Sequence, residues 1–434
     1  MTILMKNILI EDIPKHLGKE IVLNVWVYNF RSSGKIYFLQ LRDGTGHIQG
    51  VISKSDVSPN TWQVCEKLTI ESSLQVTGIL KEEKRSPSGF ELEIKDLKIF
   101  QIAEDYPIAK KEHGVDFLLD HRHLWLRSER QASILKIRDE IIWLMRDFFR
   151  KNKFILTDTP ILTPTSCEGT TTLFSTDYFD EKAYLSQSGQ LYLEALAMSL
   201  GRVYDFGPTF RAEKSKTRRH MMEFWMLDAE AAFMQHEDNL KLQEDLVVFV
   251  VNNILKNKKE ELRILGRDLK FLKKVTPPFP RLKYKEAIEK LKSLGSDIKY
   301  GDDLGADDET RLTKEFDKPV FVTHYPAKIK AFYMQPDPDN KEFVLCDDLL
   351  APEGYGEIIG GSERIWDINI LENRIKEHKL PIKDFAWYLD LRRYGSVPHS
   401  GFGIGLERTV AWLCGLDHVR ETIPFPRLLN RLRP

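Results

Sequence analysis

The chain has 434 residues, with 64 Lys and Arg against 65 Asp and Glu, so its formal net charge is -1; that excludes a generally basic coat for nucleic acid but leaves room for a local basic groove. Its hydrophobic residues suffice for a sizeable core, no run of about 18 apolar residues could cross a membrane, and MTILMKNILIEDIPKHLGKE lacks the apolar stretch and cleavage site of a secretory leader. Four cysteines (Cys65, Cys167, Cys346 and Cys414) lie far apart with no CxxC pair, which argues against a disulfide framework or zinc ribbon and for a reducing, cytoplasmic setting.

In chain order, residues 21–27, 36–41, 47–52, 74–80 and 90–94 read as β-branched or alternating strands, punctuated by Ser32-Ser33-Gly34, Asp43-Gly44-Thr45-Gly46 and the polar turn 84–89. With one helix near 61–68, they predict a small barrel of the oligonucleotide-binding type over residues 1–103. Residues 104–130, with Pro107 and Gly114, read as a hinge before a catalytic domain over 131–434. There Ile134, Ile137, Ile141, Leu144 and Phe148 mark one face of a helix. The stretch 154–162 reads as a strand interrupted by Pro160, which confines it to an edge or a bulge. Short strands and a helix alternate over 183–233, a Lys- and Leu-rich amphipathic helix is expected over 238–274, and Pro277-Pro278-Phe279-Pro280 breaks the chain. A helix over 284–294 and an acidic loop over 301–305 follow, so that about 250–330 has the texture of an insertion. Strands resume at Val320, and 404–415 closes as a helix begun by glycine. Because strands and helices do not alternate as βαβ units, the fold class expected is α+β with an antiparallel sheet.

Three constellations carry chemistry. Phe210-Arg211-Ala212-Glu213 precedes a loop with four basic residues, then His220 and Phe224. Arg offers a planar fork for phosphate oxygens, and Phe224 a stacking surface for a purine; a solvated basic hairpin would show the same pattern. Ser400-Gly401-Phe402-Gly403-Ile404-Gly405-Leu406-Glu407-Arg408 brings glycines that let backbone approach a ligand, yet it matches neither GxGxxG nor a P-loop. Asp347-Asp348 and Glu357, ahead of Ile358-Ile359-Gly360-Gly361-Ser362-Glu363-Arg364, offer hard oxygens for Mg²⁺ or form an acidic surface turn.

Taken in order, Pro160 in a helix–strand–Pro unit, Phe210-Arg211-Ala212-Glu213 and Gly405-Leu406-Glu407-Arg408 resemble motifs one, two and three of the class II aminoacyl-tRNA synthetases. The barrel before them is similar to that of the aspartate/asparagine/lysine subgroup, and SGQLYLEA, EIIGGSER and GSVPHSGFGIGLERTVAW look most like its asparagine branch. The likeness covers nearly the whole chain.

The resemblance implies ATP-dependent attachment of asparagine to tRNA(Asn) through an adenylate. In it Arg211 would contact the α-phosphate of ATP and Arg408 the γ-phosphate. Phe224 would stack on adenine, Glu213 would sit near the adenine or a metal, His220 would reach the distal phosphates, and Asp348 with Glu357 would hold Mg²⁺. Ser188, Gln190 and Glu168 would hold the substrate ammonium, and Arg364 would grip its side-chain oxygen. Leu193 is the expected specificity position, since aspartate-specific relatives carry lysine there. Burying the substrate carboxylate without that cation costs on the order of 3–5 kcal/mol, so asparagine fits better. Residue 228 is Asp where many asparagine-specific relatives have Glu, which leaves open whether Asp228 receives the amide, the ammonium or both, with Glu194 as another acceptor. In the barrel, Phe38 would stack on the central anticodon base, Gln49 would read a base, and Arg31 would approach phosphates or the first base. Motif one implies a homodimer. The same resemblance also allows an aspartate-specific relative with relaxed tRNA choice or a tRNA-independent asparagine synthetase.

Overall fold

The computed structural model describes residues 8–86, 88–109, 111–167, 173–215 and 217–434. They divide into two units, one up to Val115 and one from Asp116 onward.

In the first unit, strands Glu20–Ser33, Ile36–Arg42, His47–Ser53, Ser73–Glu82 and Phe90–Gln101 close into a five-stranded barrel. Alternation decides this. Ile48 and Ile52, Leu39 and Leu41, Leu74 and Val76, and Leu92 and Ile94 all point into one core, while their neighbours stay outside. Parallel pairing of His47–Ser53 with Phe90–Gln101 closes the ring, which leaves no open sheet edge. Among the described residues of this unit, a 3-10 helix spans Ile10–His16 and an α-helix spans Pro59–Cys65. The α-helix starts two residues before the expected point because Ser58 accepts the Thr61 N–H at 3.1 Å and Pro59 occupies the first turn.

The second unit is built on a nine-stranded sheet. Its order runs Arg281–Lys283, Val320–Thr323, Cys346–Ala351, Gly356–Glu363, His399–Gly405, Glu223–Ala232, Arg202–Tyr204 and Ile155–Leu156, with Gly207–Phe210 also paired to Glu223–Ala232. The central pairings are antiparallel, and only the two outermost are parallel. Helices Glu129–Lys151 and His236–Asn257 cover one face. Ile137, Ile141 and Phe149 from the first and Val247, Val251 and Ile254 from the second pack on Leu227, Ile358, Ile359 and Phe402, each such side chain contributing about 1.5–3 kcal/mol. With that face sealed, the opposite one carries the site.

Three expectations change. The helix expected over 238–274 is three helices, His236–Asn257, Lys259–Ile264 and Leu269–Leu272. Lys258 leaves the helical region (φ -125°, ψ 33°) and Gly266 turns left-handed at φ +71°. The strand expected over 154–162 is two short pieces in different sheets: Ile155–Leu156 pairs with Arg202–Tyr204, whereas Leu162–Thr163 joins Glu181–Leu185 and Ser175–Tyr178. Pro160 lies between them, where no ladder donor is needed. Nor is the region 250–330 a pure insertion, since Arg281–Lys283 and Val320–Thr323 are strands of the main sheet. Ile155 and Leu156 on the main sheet's edge strand, and Ile161 and Leu162 just after Pro160, are each more than 40% exposed. No helix among the described residues is long and apolar enough to cross a membrane.

Candidate active site

Strand register lays out the floor of the site. Asp348 pairs with Gly360, Gly360 with Gly403, and Gly403 with Asp228, so four residues from four strands form one row on one face. Ser362, Gly401 and Glu230 form a second row on that face. The glycines make room for the protein's own carboxylates. A Cβ at position 403 would stand 2.5 Å from Asp228 Oδ1, and one at 401 would strike the Glu230 carboxylate.

Glu357 would face the core if Gly356–Glu363 alternated regularly. A bulge intervenes: Leu349 pairs with Ile359, but Leu350 pairs with Glu357, leaving Ile358 over. Both isoleucines therefore enter the core, and Glu357 turns onto the site face beside Asp348.

A cavity of about 530 Å³ lies over this floor, lined by Ser188, Gln190, Asp228, Glu230, Asp348, Glu357 and Arg364 among others. A smaller one of about 70 Å³ is lined by Glu213, Arg219, His220, Phe224, Glu407 and Arg408. Arg211, Met226, Glu357 and Gly403 border both. Arg211 and Arg408, far apart in sequence, thus line the same cavity.

On the smaller side, the Arg211 guanidinium lies 5.6 Å from the Phe224 ring centroid, and its buried Nε has no partner among the described residues. Arg408, in the first turn of helix Leu406–Cys414, donates to the Glu357 carboxylate at 2.9 Å and to the Glu357 carbonyl at 3.0 Å. His220 Nε2 stands 3.4 Å from Glu213. Burial and the charges of Arg408 and Arg211 hold the His220 imidazole below its ordinary value. Glu407, buried behind them, accepts the Trp225 N–H at 2.9 Å and pairs with Arg138 at 2.7 Å, which ties the glycine strand's helix to the strand of Phe224.

Asp348 and Glu357 converge over Gly360, whose missing Cβ would stand 3.1 Å from Glu357 Oε1 and 3.8 Å from Asp348 Oδ1. Burial pushes the Asp348 carboxyl up to about 6, with the nearby Glu357 charge adding to the rise against the ammonium of Lys330, 2.9 Å away. Burial alone would raise Glu357 too, but Arg408, Lys330 and Arg211 outweigh it and hold that carboxyl below its usual range.

The deep end of the larger cavity is an ion pair between Arg364, expected from its motif, and Glu230. Arg364 donates from Nε and Nη2 to the fully buried Glu230 carboxylate at 3.1–3.3 Å, and from Nη1 to Ser362 at 2.6 Å. Burial, with the charge of Glu194 adding to it, pushes Glu230 up to about 6 despite Arg364. Glu230 lies two residues beyond Asp228, so the alternation of strand Glu223–Ala232 was the signal for it. Asp228 itself accepts the Ser188 hydroxyl at 2.8 Å and the Gly189 N–H at 2.9 Å. Glu194 is not part of the cavity wall. Gln190, Tyr388, Arg392 and His399 all donate to it.

Leu193 stands apart from the residues that line the cavity. It is fully buried in a small cluster with Ala197 and Val203, and it does not line the cavity. Its place on helix Gln190–Leu200 turns it toward the helix's own packing partners. Glu168 lies outside the described residues.

On the barrel unit, Arg31 pairs with Phe38 and Gln40 with Gln49, which puts all four on the outer face. The Arg31 guanidinium sits 4.6 Å from the Phe38 centroid. Phe38 is half-buried and belongs to no core cluster. Gln49 donates to Glu91 at 2.7 Å, a partner that the sequence reading did not include.

The closed five-stranded barrel and the largely antiparallel sheet, with arginines and paired carboxylates over a glycine floor, belong to a chain that family models place among the class II tRNA synthetases. The model for "tRNA synthetases class II (D, K and N)" matches residues 114–429, and that for the "OB-fold nucleic acid binding domain" matches residues 21–100. The asparagine--tRNA ligase of Desulforamulus reducens is 58% identical over 99% of this chain and 100% of its own length, and that of Symbiobacterium thermophilum is 57% identical with the same coverage. The crystal structure of asparaginyl-tRNA synthetase from Pyrococcus horikoshii complexed with asparaginyl-adenylate superposes with a TM-score of 0.97 at 46% identity, covering 99% of this chain and 100% of that one. The chain belongs to the asparagine--tRNA ligase family of aminoacyl-tRNA synthetases.

Proposed function

We propose that this site joins asparagine to ATP, releasing pyrophosphate, and then passes the asparaginyl group to the terminal ribose of tRNA(Asn). The observation that carries the reading is one cavity bordered by Arg211 and Arg408 that shares a wall with another ending in Arg364 and Glu230. An oxygen of the asparagine carboxylate attacks the α-phosphorus while the bond to the pyrophosphate oxygen breaks. Arg211 takes the charge growing on the α-phosphate and Arg408 holds the γ-phosphate. Phe224 stacks on adenine, Glu213 sits near the adenine or a metal, and His220 lies near the distal phosphates. No protein nucleophile is required, because alignment and charge stabilisation carry such a step. A tRNA hydroxyl then attacks the adenylate carbonyl and AMP leaves.

Asp348 and Glu357 fit Mg²⁺ as hard oxygen donors converging on one point. No group of three or more His, Cys, Asp or Glu able to hold a metal occurs among the described residues. Two carboxylates, with phosphate oxygens and water completing the shell, are how Mg²⁺ is commonly held. When bound, it would neutralise triphosphate charge.

Ser188 and Gln190, with Asp228 bracing their loop, face the substrate ammonium. Arg364 donates to the side-chain carbonyl oxygen and Glu230 accepts its amide N–H. That assignment puts amide selection on Glu230: aspartate would place a second carboxylate against a buried one, whereas the asparagine amide supplies a donor. A homodimer through the motif-one edge suits the exposed Ile155, Leu156, Ile161 and Leu162, and four buried cysteines far apart in the sequence suit a reducing cytoplasm.

The test is pyrophosphate exchange with each of the twenty amino acids supplied separately. Exchange with asparagine is expected; exchange with aspartate alone would overturn the reading. For the barrel, Phe38→Ala is expected to raise the KM for tRNA roughly tenfold through lost stacking while sparing tRNA-independent exchange. An equal loss in both assays would make Phe38 a packing residue.

A further inference from the structure

The helix Ala306–Thr313 lies between two main-sheet strands, in the region the sequence left without a role. Its Glu309 borders the larger cavity. Oxygen Oε2 of Glu309 accepts two hydrogen bonds, one from the Glu357 backbone N–H at 3.0 Å and one from Arg219 Nη1 at 2.6 Å. Arg219 borders the smaller cavity; it also donates to the Gly354 carbonyl at 2.6 Å and to the Thr310 hydroxyl. Gly356, at φ +75°, is where they meet, since a Cβ there would collide with both the Glu309 carboxylate and the Arg219 guanidinium.

One oxygen thus joins the bulged turn that aims Glu357 to the basic loop that walls the nucleotide side. All the donors involved are buried or partly buried, so each bond is poorly replaced by water. We infer that Glu309 is a positioning residue for the nucleotide half of the site, acting through Glu357 and Arg219; this rests on the reading of that half as the ATP site. Among the described residues the Glu309 carboxylate bonds to Arg219 and the Glu357 backbone rather than to Arg364 or Glu230, so asparagine binding should not depend on it.

The experiment measures asparagine-dependent pyrophosphate exchange in the full chain, Glu309→Ala and Glu309→Gln, with ATP and asparagine varied separately and melting temperature recorded. We expect Glu309→Ala to raise the ATP KM roughly tenfold with the asparagine KM within about twofold, and Glu309→Gln, which keeps an acceptor oxygen but not the charge, to fall between it and the parent. An unchanged ATP KM in the variants, or both KM values rising together, overturns the inference. If Glu309→Ala does not fold, Glu309→Gln decides by the same split. Absence of asparagine-dependent exchange in the parent chain would instead remove the ATP reading itself.

Discussion

Arg408→Ala is expected to reduce asparagine-dependent pyrophosphate exchange by roughly three orders of magnitude or more, the scale of an arginine that stabilises a transferring phosphoryl group. Two effects combine. The γ-phosphate loses its fork, and Glu357 loses the guanidinium that donates to both its carboxylate and its carbonyl. Without that charge Glu357 should protonate more readily, since burial already favours its neutral form and Arg408 is the largest opposing influence. Arg408→Lys separates the two: it keeps a cation near Glu357 but cannot grip two phosphate oxygens, so it should lie between alanine and the parent. Exchange rates at saturating asparagine, measured against ATP, check this. Retention of most activity by Arg408→Ala would show that Arg408 serves packing alone.

The barrel was legible because period-two alternation over strands of seven residues or more leaves one register in which Ile48, Leu39 and Leu92 share a core. The helix of Ile134, Ile137 and Ile141 was legible for the matching reason at period 3.6. What escaped were features with too little chain to show a period, such as the three-residue strand Arg281–Lys283, and features made by distant pairing. Leu193 and Gln190 sit three apart on one helix and look equivalent in sequence; only the packing of Ala197 and Val203 decides that Leu193 turns away from the cavity. Glu357-Ile358-Ile359-Gly360 carried a readable irregularity, two apolar residues in succession ahead of a glycine, and the bulge is its cause. Arg364 could be placed from its motif, yet its partner Glu230 comes from a strand far away in the chain, and no local pattern links the two.

Glu230→Gln is expected to narrow the preference for asparagine over aspartate by roughly a hundredfold or more, a scale set by unpairing one buried charge. The glutamine is nearly isosteric, and its carbonyl can still accept from Arg364, which should preserve the fold. Its NH₂ must then face the substrate. Against asparagine that sets donor against donor; against aspartate it offers a donor to a carboxylate, and the Arg364 charge is no longer neutralised. Asparagine kcat/KM should therefore fall while that for aspartate rises, and a parallel fall in both together with a lower melting temperature would count against the assignment. Acid should imitate the change. Burial lifts the Glu230 carboxyl to about 6, so as pH drops through that value the group gains a proton while the aspartate side chain, with an ordinary value near 3.9, keeps its charge. Discrimination measured by exchange should weaken from pH 7 toward pH 5 in the parent chain and stay nearly flat in Glu230→Gln, which has no carboxyl there to titrate.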